Sequence, residues 1–184
     1  MESKDVILVD TADNPVGKLE KMQAHRTADL HRAFSVFIFT GKGDWLLQQR
    51  ADHKYHSGGL WTNTCCSHPE PGQETMEAAL NRLQEEMGIQ CKLLPLYSFI
   101  YKAPLDHGLT EHEYDHVFAG ISDSLPVINP DEVKNWRHIT FEKLDHEIMH
   151  QPESFTAWFR IAYKRVQKEF IQNFAKWEQQ LSSP

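Results

Sequence analysis

Residues 60–69 read Leu60-Trp61-Thr62-Asn63-Thr64-Cys65-Cys66-Ser67-His68-Pro69. Two thiols, an imidazole, an indole and three small hydroxyl side chains fall within ten residues. No amphipathic period accounts for the run, and Pro69 stops any helix or inner strand that would continue through it. Residue types that serve neither a packing stripe nor a turn mark a site. The rest of the chain is therefore read for what it supplies to this one.

At 184 residues the chain fits one domain, 1–184, able to bury its own core. It is 40% hydrophobic and 24% charged, the balance of a soluble globular protein. A formal charge of −7 excludes a general nucleic-acid binder, which needs a basic face. A small anion stays open, because a few clustered cations suffice to hold it. Eleven histidines make a metal site worth seeking. Three cysteines, two of them adjacent, imply no disulfide framework. After Met1-Glu2-Ser3-Lys4-Asp5 there is no apolar run of signal-peptide length, and no stretch of roughly 18 apolar residues follows anywhere. The expectation is a reduced, cytoplasmic protein that does not enter a membrane.

Upstream of the opening run, residues 33–40 are rich in aromatic and branched side chains and predict a buried strand. Gly41-Lys42-Gly43-Asp44 turns the chain into a second strand over 45–50, so the two form a hairpin. Residues 6–9 are a short apolar run closed by Asp13-Asn14-Pro15, and 18–25 are polar and weakly periodic. A loop containing His and Gly, 52–59, leads into the run. Downstream, 75–87 predict a helix with Met76, Ala79, Leu80, Leu83 and Met87 as one apolar stripe and Gly88 as its stop. Arg82 and Glu86 stand four apart beside that stripe. Strands are expected at 93–101 and 111–121, with Pro104 and Gly108 between them, and Trp136-Arg137-His138-Ile139 follows. A closing helix over about 154–181 carries Trp158, Ala162, Val166, Phe170, Phe174, Trp177 and Leu181 toward the core. Strands, one helix, more strands and a closing helix make a mixed α/β (α+β) single domain, without repeats or linkers.

Four constellations carry chemistry. In Glu111-His112-Glu113-Tyr114, a strand would turn both glutamates to one face. If that face is inward, the pair requires a cation between them or one raised pKa; otherwise the segment, continued by Asp115, is a solvated edge strand. His25, His31 and His68 are good ligands for a divalent transition metal when joined by carboxylates, although each alone reads as an ordinary surface or core histidine. Cys91 sits in an apolar context and reads as a small hydrophobe. Cys65 or Cys66, beside His68, reads as a reactive thiol. A Cys-His protease is one such reading, but no Asn or Asp orienter can be placed for it. Lys21, Arg50, Lys54 and Arg82 each stand near a candidate segment; singly they are solvated charges, and together with a metal they could hold a diphosphate.

Trp61-Thr62-Asn63-Thr64-Cys65-Cys66-Ser67-His68-Pro69, with Leu30-His31-Arg32-Ala33-Phe34-Ser35 upstream and Glu111-His112-Glu113 downstream, resembles type I isopentenyl-diphosphate Δ-isomerase. The match in order and spacing runs from about Val6 to about Ala162. It implies the Nudix fold, a mixed sheet sandwiched between helices. The Nudix box itself is altered: Glu85-Glu86-x-Gly88-Ile89 keeps its closing part, but Ser67, Gln73 and Asn81-Arg82 stand where its leading Gly, first Glu and Arg-Glu pair belong. Losing those carboxylates argues against a water-activating hydrolase. The resemblance implies one divalent metal (Mn²⁺, Zn²⁺ or Mg²⁺) on His25, His31, His68, Glu111 and Glu113, with Glu86 helping to hold a second ion, Mg²⁺, and no flavin. It implies that Lys21, Arg50, Lys54 and Arg82 bind a diphosphate, that Cys66 and Glu113 are the opposed acid and base, and that Tyr101 and Trp158 support them. It further implies a place in isoprene biosynthesis, and a monomer is expected. The chemistry suits these groups: moving a double bond through a tertiary carbocation needs an acid and a base on opposite faces of a flat chain. A Nudix-type diphosphate hydrolase and a non-catalytic metal-binding protein on the same fold remain as alternatives.

Overall fold

The computed structural model describes residues 5–182. Its nine strands form one mixed sheet: β1 (Asp5–Val9), β2 (Pro15–Glu20), β3 (His31–Phe39), β4 (Trp45–Arg50), β5 (Trp61–Thr62), β6 (Cys65–Ser67), β7 (Leu94–Pro104), β8 (Thr110–Ile121) and β9 (Val133–Ile139). Helices α1 (Lys21–Thr27), α2 (Thr75–Met87), α3 (Phe141–His150) and α4 (Ala157–Ser182) complete it.

Strand β3 is the axis. Along one side it pairs in parallel with β8 over its whole length, from His31↔Glu113 to Phe39↔Ile121. Its other side is shared by β1 at the start (Leu8↔His31), β6 in the middle (Ser35↔Cys66) and β4 at the end (Phe39↔Trp45). Strand β7 then joins β8 antiparallel, so His31, Glu113 and Tyr101 lie in one row across three strands.

The pleat divides the buried residues of β3 between two cores. Phe37 and Phe39 face α3 and α4, packing with Trp158, Phe159, Val166 and Phe170. Phe34, Val36 and Ile38 face α2, packing with Ala79, Leu83 and Met87. Each fully buried Leu or Met on α2 contributes about 1.5–3 kcal/mol relative to exposure. Gly88 ends α2 in the left-handed region (φ 67°), and a Cβ there would stand 2.7 Å from the carbonyl of Val127. Only glycine fits both constraints.

Strands β3, β4 and β8 and helix α2 fall within two residues of the sequence expectation, whereas β7 runs three residues past its expected end, through Pro104, and β2, β5, β6 and β9 were not expected as strands. Residues 18–25 divide between β2 and α1, a helix capped by Glu20, whose carboxylate accepts from the amides of Met22 and Gln23. Helix α3 was not anticipated, although Thr140 caps it and Leu144 and Ile148, four apart, are its buried side. The closing helix begins at Ala157 because Pro152–Ser154 form a separate single turn. The stripe of α2 is rotated: Leu80 is 38% exposed, while Ala78 and Glu86 are buried beside Ala79, Leu83 and Met87. The side chain of Leu181 and residues 1–4 lie outside the described residues.

Candidate active site

Strand β8 is the first element to settle. Glu111, Glu113 and Asp115 are buried while His112, Tyr114 and His116 are partly exposed. The strand is paired on both sides, by β3 and β7. The solvated-edge reading is therefore wrong, and wrong for Asp115 as well: its Oδ2 accepts from Ser35 Oγ at 2.8 Å, inside the protein.

Histidines converge on these carboxylates from three separate elements. Helix α1 brings His25 into the interior, one turn after Lys21. Strand β3 begins with His31, and His68 follows β6. One ligand atom from each of His25, His31, His68, Glu111 and Glu113 lies within 4.8 Å of all the others.

The donor set fits a divalent metal. His31 Nδ1 is 2.8 Å from the carbonyl of Asp29, which fixes the proton there and leaves Nε2 a bare lone pair toward the cluster. His25 Nε2 and Glu111 Oε2 are 3.2 Å apart yet make no well-aligned hydrogen bond, and neither has another partner among the described residues. Buried donors and acceptors left so are rare in proteins; two of them among five ligand atoms that all lie within 4.8 Å of one another suit an ion. Burial also favours the neutral, ligating form at two of the imidazoles: His31 is pulled down to about 4 and His68 well below its ordinary value.

The two glutamates differ sharply. Burial and the charge of Glu111 push Glu113 far above the usual carboxylate range. For Glu111 burial acts upward too, but His25 foremost, then Glu113 and His68, outweigh it and hold the group low. Glu113 Oε1 lies 2.9 Å from His68 Nε2, and its Oε2 accepts from Tyr101 Oη at 2.6 Å. Tyr101 thus fixes one carboxylate oxygen while the other faces the metal-ligand cluster.

The adjacent cysteines part company. Cys65 points into the α2 core with 0% exposure. Cys66 points to the opposite face, packs against the α4 core and lines the cavity. Desolvation pushes its thiol up to about 12, against the pull of Arg50. At neutral pH it is a protonated thiol, not a thiolate nucleophile. That answers the protease reading.

Most of the polar opening run turns out to be scaffold. Strands β3 and β4 pair only at Ile38↔Leu46 and Phe39↔Trp45 before diverging. Thr64 Oγ1 bridges the gap, donating to the Leu46 carbonyl at 2.6 Å and accepting from the Ile38 amide at 2.9 Å. Asn63 Nδ2 donates to the carbonyls of Val36 and Cys65, and its Oδ1 accepts from Trp158 Nε1 at 3.1 Å. Thr62, Asn63, Thr64 and Cys65 therefore hold the site together, and only Cys66, Ser67 and His68 reach the cavity.

That inner cavity, about 60 Å³, carries Cys66, Glu113 and Tyr101 with Trp158 as a wall. The Arg50 guanidinium lies 5.3 Å from the Trp158 ring centre. Lys21, Arg50, Lys54 and Arg82 all line the same cavity, and Arg50 Nε and Arg82 Nε are buried without a partner among the described residues. Arg82 Nη2 meets Glu86 Oε1 at 2.6 Å across one turn of α2, and Glu86 Oε2 accepts from Gln48 Nε2 at 2.9 Å.

Relatives of known name bear on this arrangement. An isopentenyl-diphosphate Delta-isomerase of Pectobacterium atrosepticum is 50% identical over 166 residues, 90% of this chain and 93% of that protein. One from Serratia proteamaculans is 44% identical, over 93% and 96% of the two chains. The NUDIX domain family matches residues 29–159. The chain belongs to the isopentenyl-diphosphate isomerase family of Nudix proteins. A crystal structure of a Deinococcus radiodurans protein (TM-score 0.68, 20% identity, 80% of this chain and 90% of that one) shares the Nudix fold. So does a MutT protein of Methanosarcina mazei (TM-score 0.60, 20% identity, 76% and 94%). The Nudix match begins after α1, so Lys21, which lines the cavity, and His25, in the ligand cluster, come from a segment outside it.

Sequence reasoning missed several residues of this isomerase-family site. His56 sits in the 52–59 loop with Nε2 3.4 Å from Glu111 Oε1, its ring edge-on to Trp158. Tyr55 stacks on His25 at 6.1 Å, and Ser35 and Glu132 also line the cavity. An irregular loop has no period to read, so nothing in the pattern singled out Tyr55 or His56; their place beside two glycines was the only signal.

Proposed function

We propose that this chain interconverts isopentenyl diphosphate and dimethylallyl diphosphate. The observation that carries the reading is that Cys66 and Glu113 meet at one cavity from β6 and β8, which flank β3 on opposite sides. An acid and a base delivered from two sides suit proton addition at C4 and removal at C2 of a flat five-carbon chain.

The two groups divide the work. Cys66 holds a proton on sulfur, because its pocket disfavours the thiolate. Glu113 exchanges a proton at its carboxylate, oriented by the Tyr101 hydroxyl on Oε2. The reaction is reversible, so each serves as acid in one direction and base in the other. The carbocation between the two steps is stabilised by the negative face of the Trp158 indole, which Asn63 holds in place, and the apolar wall keeps out water that would trap the cation.

Lys21, Arg50, Lys54 and Arg82 bind and orient the diphosphate. His25, His31, His68, Glu111 and Glu113 hold one divalent ion (Mn²⁺, Zn²⁺ or Mg²⁺), and Glu86 holds Mg²⁺. When bound, these ions neutralise diphosphate charge and fix the Glu113 carboxylate. A monomer is proposed as the working unit, and 1–184 is read as one isomerase domain. Free thiols at Cys65, Cys66 and Cys91 suit a reducing cytoplasm. No described helix is long and apolar enough to cross a membrane.

Incubation with isopentenyl diphosphate and Mg²⁺, followed by NMR, is the direct test. Dimethylallyl diphosphate should accumulate to an equilibrium mixture. Release of phosphate without that product would replace this reading with a diphosphate hydrolase.

A further inference from the structure

Two of the cations assigned to the diphosphate, Lys54 and Arg82, share one carboxylate partner. Lys54 Nζ donates to Glu132 Oε2, and Arg82 Nη2 lies 3.3 Å from the same oxygen. One carboxylate oxygen therefore sits between two cations that come from separate elements, the 52–59 loop and α2. Both links are partly screened, since Lys54, Arg82 and Glu132 are each about one-fifth exposed at the side chain (20%, 23% and 23%).

The backbone of Glu132 is fixed on every side. Its amide donates to the Asn129 carbonyl and its carbonyl accepts from the Ala51 amide, both at 3.0 Å. The next residue, Val133, already pairs with Arg50 in the sheet. Upstream, the segment is strapped to the end of α2, with the Val127 amide on the Met87 carbonyl (2.8 Å) and the Asn129 amide on that of Glu86 (2.9 Å). Only the side chain of Glu132 is left to move. It has somewhere to go: Glu132 lines both the inner cavity and an outer chamber of about 660 Å³, which also shares Lys21, Lys54 and Arg82.

We propose that Glu132 is an internal occupant of the anion seat, holding Lys54 and Arg82 together until a diphosphate displaces its carboxylate toward the outer chamber. The inference rests on the diphosphate reading above. A carboxylate brings one negative charge to the seat and a diphosphate about three, so the ligand wins the exchange while the carboxylate lowers its affinity. With the seat filled, the two cations keep their spacing when no ligand is bound. The same carboxylate returns to assist release, so that product does not stay bound. Glu132 touches neither reacting carbon, and its effect belongs in binding and release, not in proton transfer.

Inorganic pyrophosphate with Mg²⁺ is the probe, titrated calorimetrically into the full chain, alongside KM and kcat for isopentenyl diphosphate. Glu132→Gln should tighten pyrophosphate by roughly two- to fivefold, the range for losing a partly exposed competing ion pair. KM should fall in parallel, with kcat unchanged or lower as release slows. Glu132→Asp, which keeps the charge, should stay near wild type and guards against a mere folding defect. Weaker or unchanged pyrophosphate binding in Glu132→Gln overturns the proposal, since the residue would then only align the cations or play no part. Lys54→Ala separates the two levels of inference. If it binds pyrophosphate as wild type does, the anion seat itself is misplaced. If it loses the ligand while Glu132→Gln changes nothing, only the role of Glu132 falls.

Discussion

The two faces of the central sheet are built from the same strands and do opposite things. On the α2 face, Phe34, Val36, Ile38 and Cys65 meet Ala79, Leu83 and Met87, and the interior is apolar apart from Glu86, which is bonded to Gln48. On the other face, Phe37 and Phe39 pack under α4, but toward the start of β3 the apolar core gives way to His31, Ser35, Glu113 and Asp115, all buried. The difference lies in parity: successive residues of a strand serve different faces, so two adjacent cysteines enter different chemistries. One face stores stability, and the other spends part of it on burying like charges that need partners.

The sharpest way to break this contrast is the cysteine pair. Cys66→Ala should lower the turnover of isopentenyl diphosphate by about 10²–10⁴-fold, the usual worth of a positioned acid or base, with little change in thermal stability. Cys65→Ala should do the reverse, keeping activity while lowering stability by about 1 kcal/mol through the small void left in the α2 core. Steady-state rates and chemical melts on both variants check it. A dead Cys65→Ala beside an active Cys66→Ala would mean that the two side chains face the other way.

The next test concerns the charged end of the second face. Glu111→Gln removes one of five converging donors without touching α2. Elemental analysis of the purified variant should find the ion of the His/Glu site lost, and His68→Asn should behave alike. Metal content equal to wild type would remove the five-ligand site and leave the buried carboxylates to be explained by their hydrogen bonds alone.

How far the sequence reveals this division depends on which interaction sets each element. Strand and helix periods are local, and β3, β4, β8 and α2 were legible from them. The ligand set and the acid/base pair came from resemblance, since spacing alone favoured a solvated edge for Glu111 and Glu113. What decided that question was the pairing of β8 on both sides, a contact between distant segments. The run 60–69 reads as a site throughout, but Thr64 bridges the diverging strands, Asn63 ties the segment to β3, and Thr62 bonds to Asn63 and Thr156. Buried side-chain hydrogen bonds to backbone carbonyls use the same residue types that catalysis uses, and composition does not separate them. Helix α1 was obscured by its shortness, and its cap at Glu20 lies outside the usual Ser/Thr/Asp/Asn choices. Glu132 carried no signal at all; its meaning comes only from the two cations it meets.

The smallest effects refine the apolar face. The sequence placed Leu80 and Leu83 in one stripe, three residues apart, but the helix is turned so that Leu83 is fully buried and Leu80 is 38% exposed. The rotation follows from Glu86, which must face inward to reach Gln48 and so draws the stripe toward Ala79, Leu83 and Met87. Leu83→Ala should cost about 2–5 kcal/mol in chemical unfolding while the surviving native molecules turn over normally. Leu80→Ala should stay within about 0.5 kcal/mol of wild type. Equal losses at the two positions would restore the unrotated stripe, and with it an outward-facing Glu86 that could not meet Gln48.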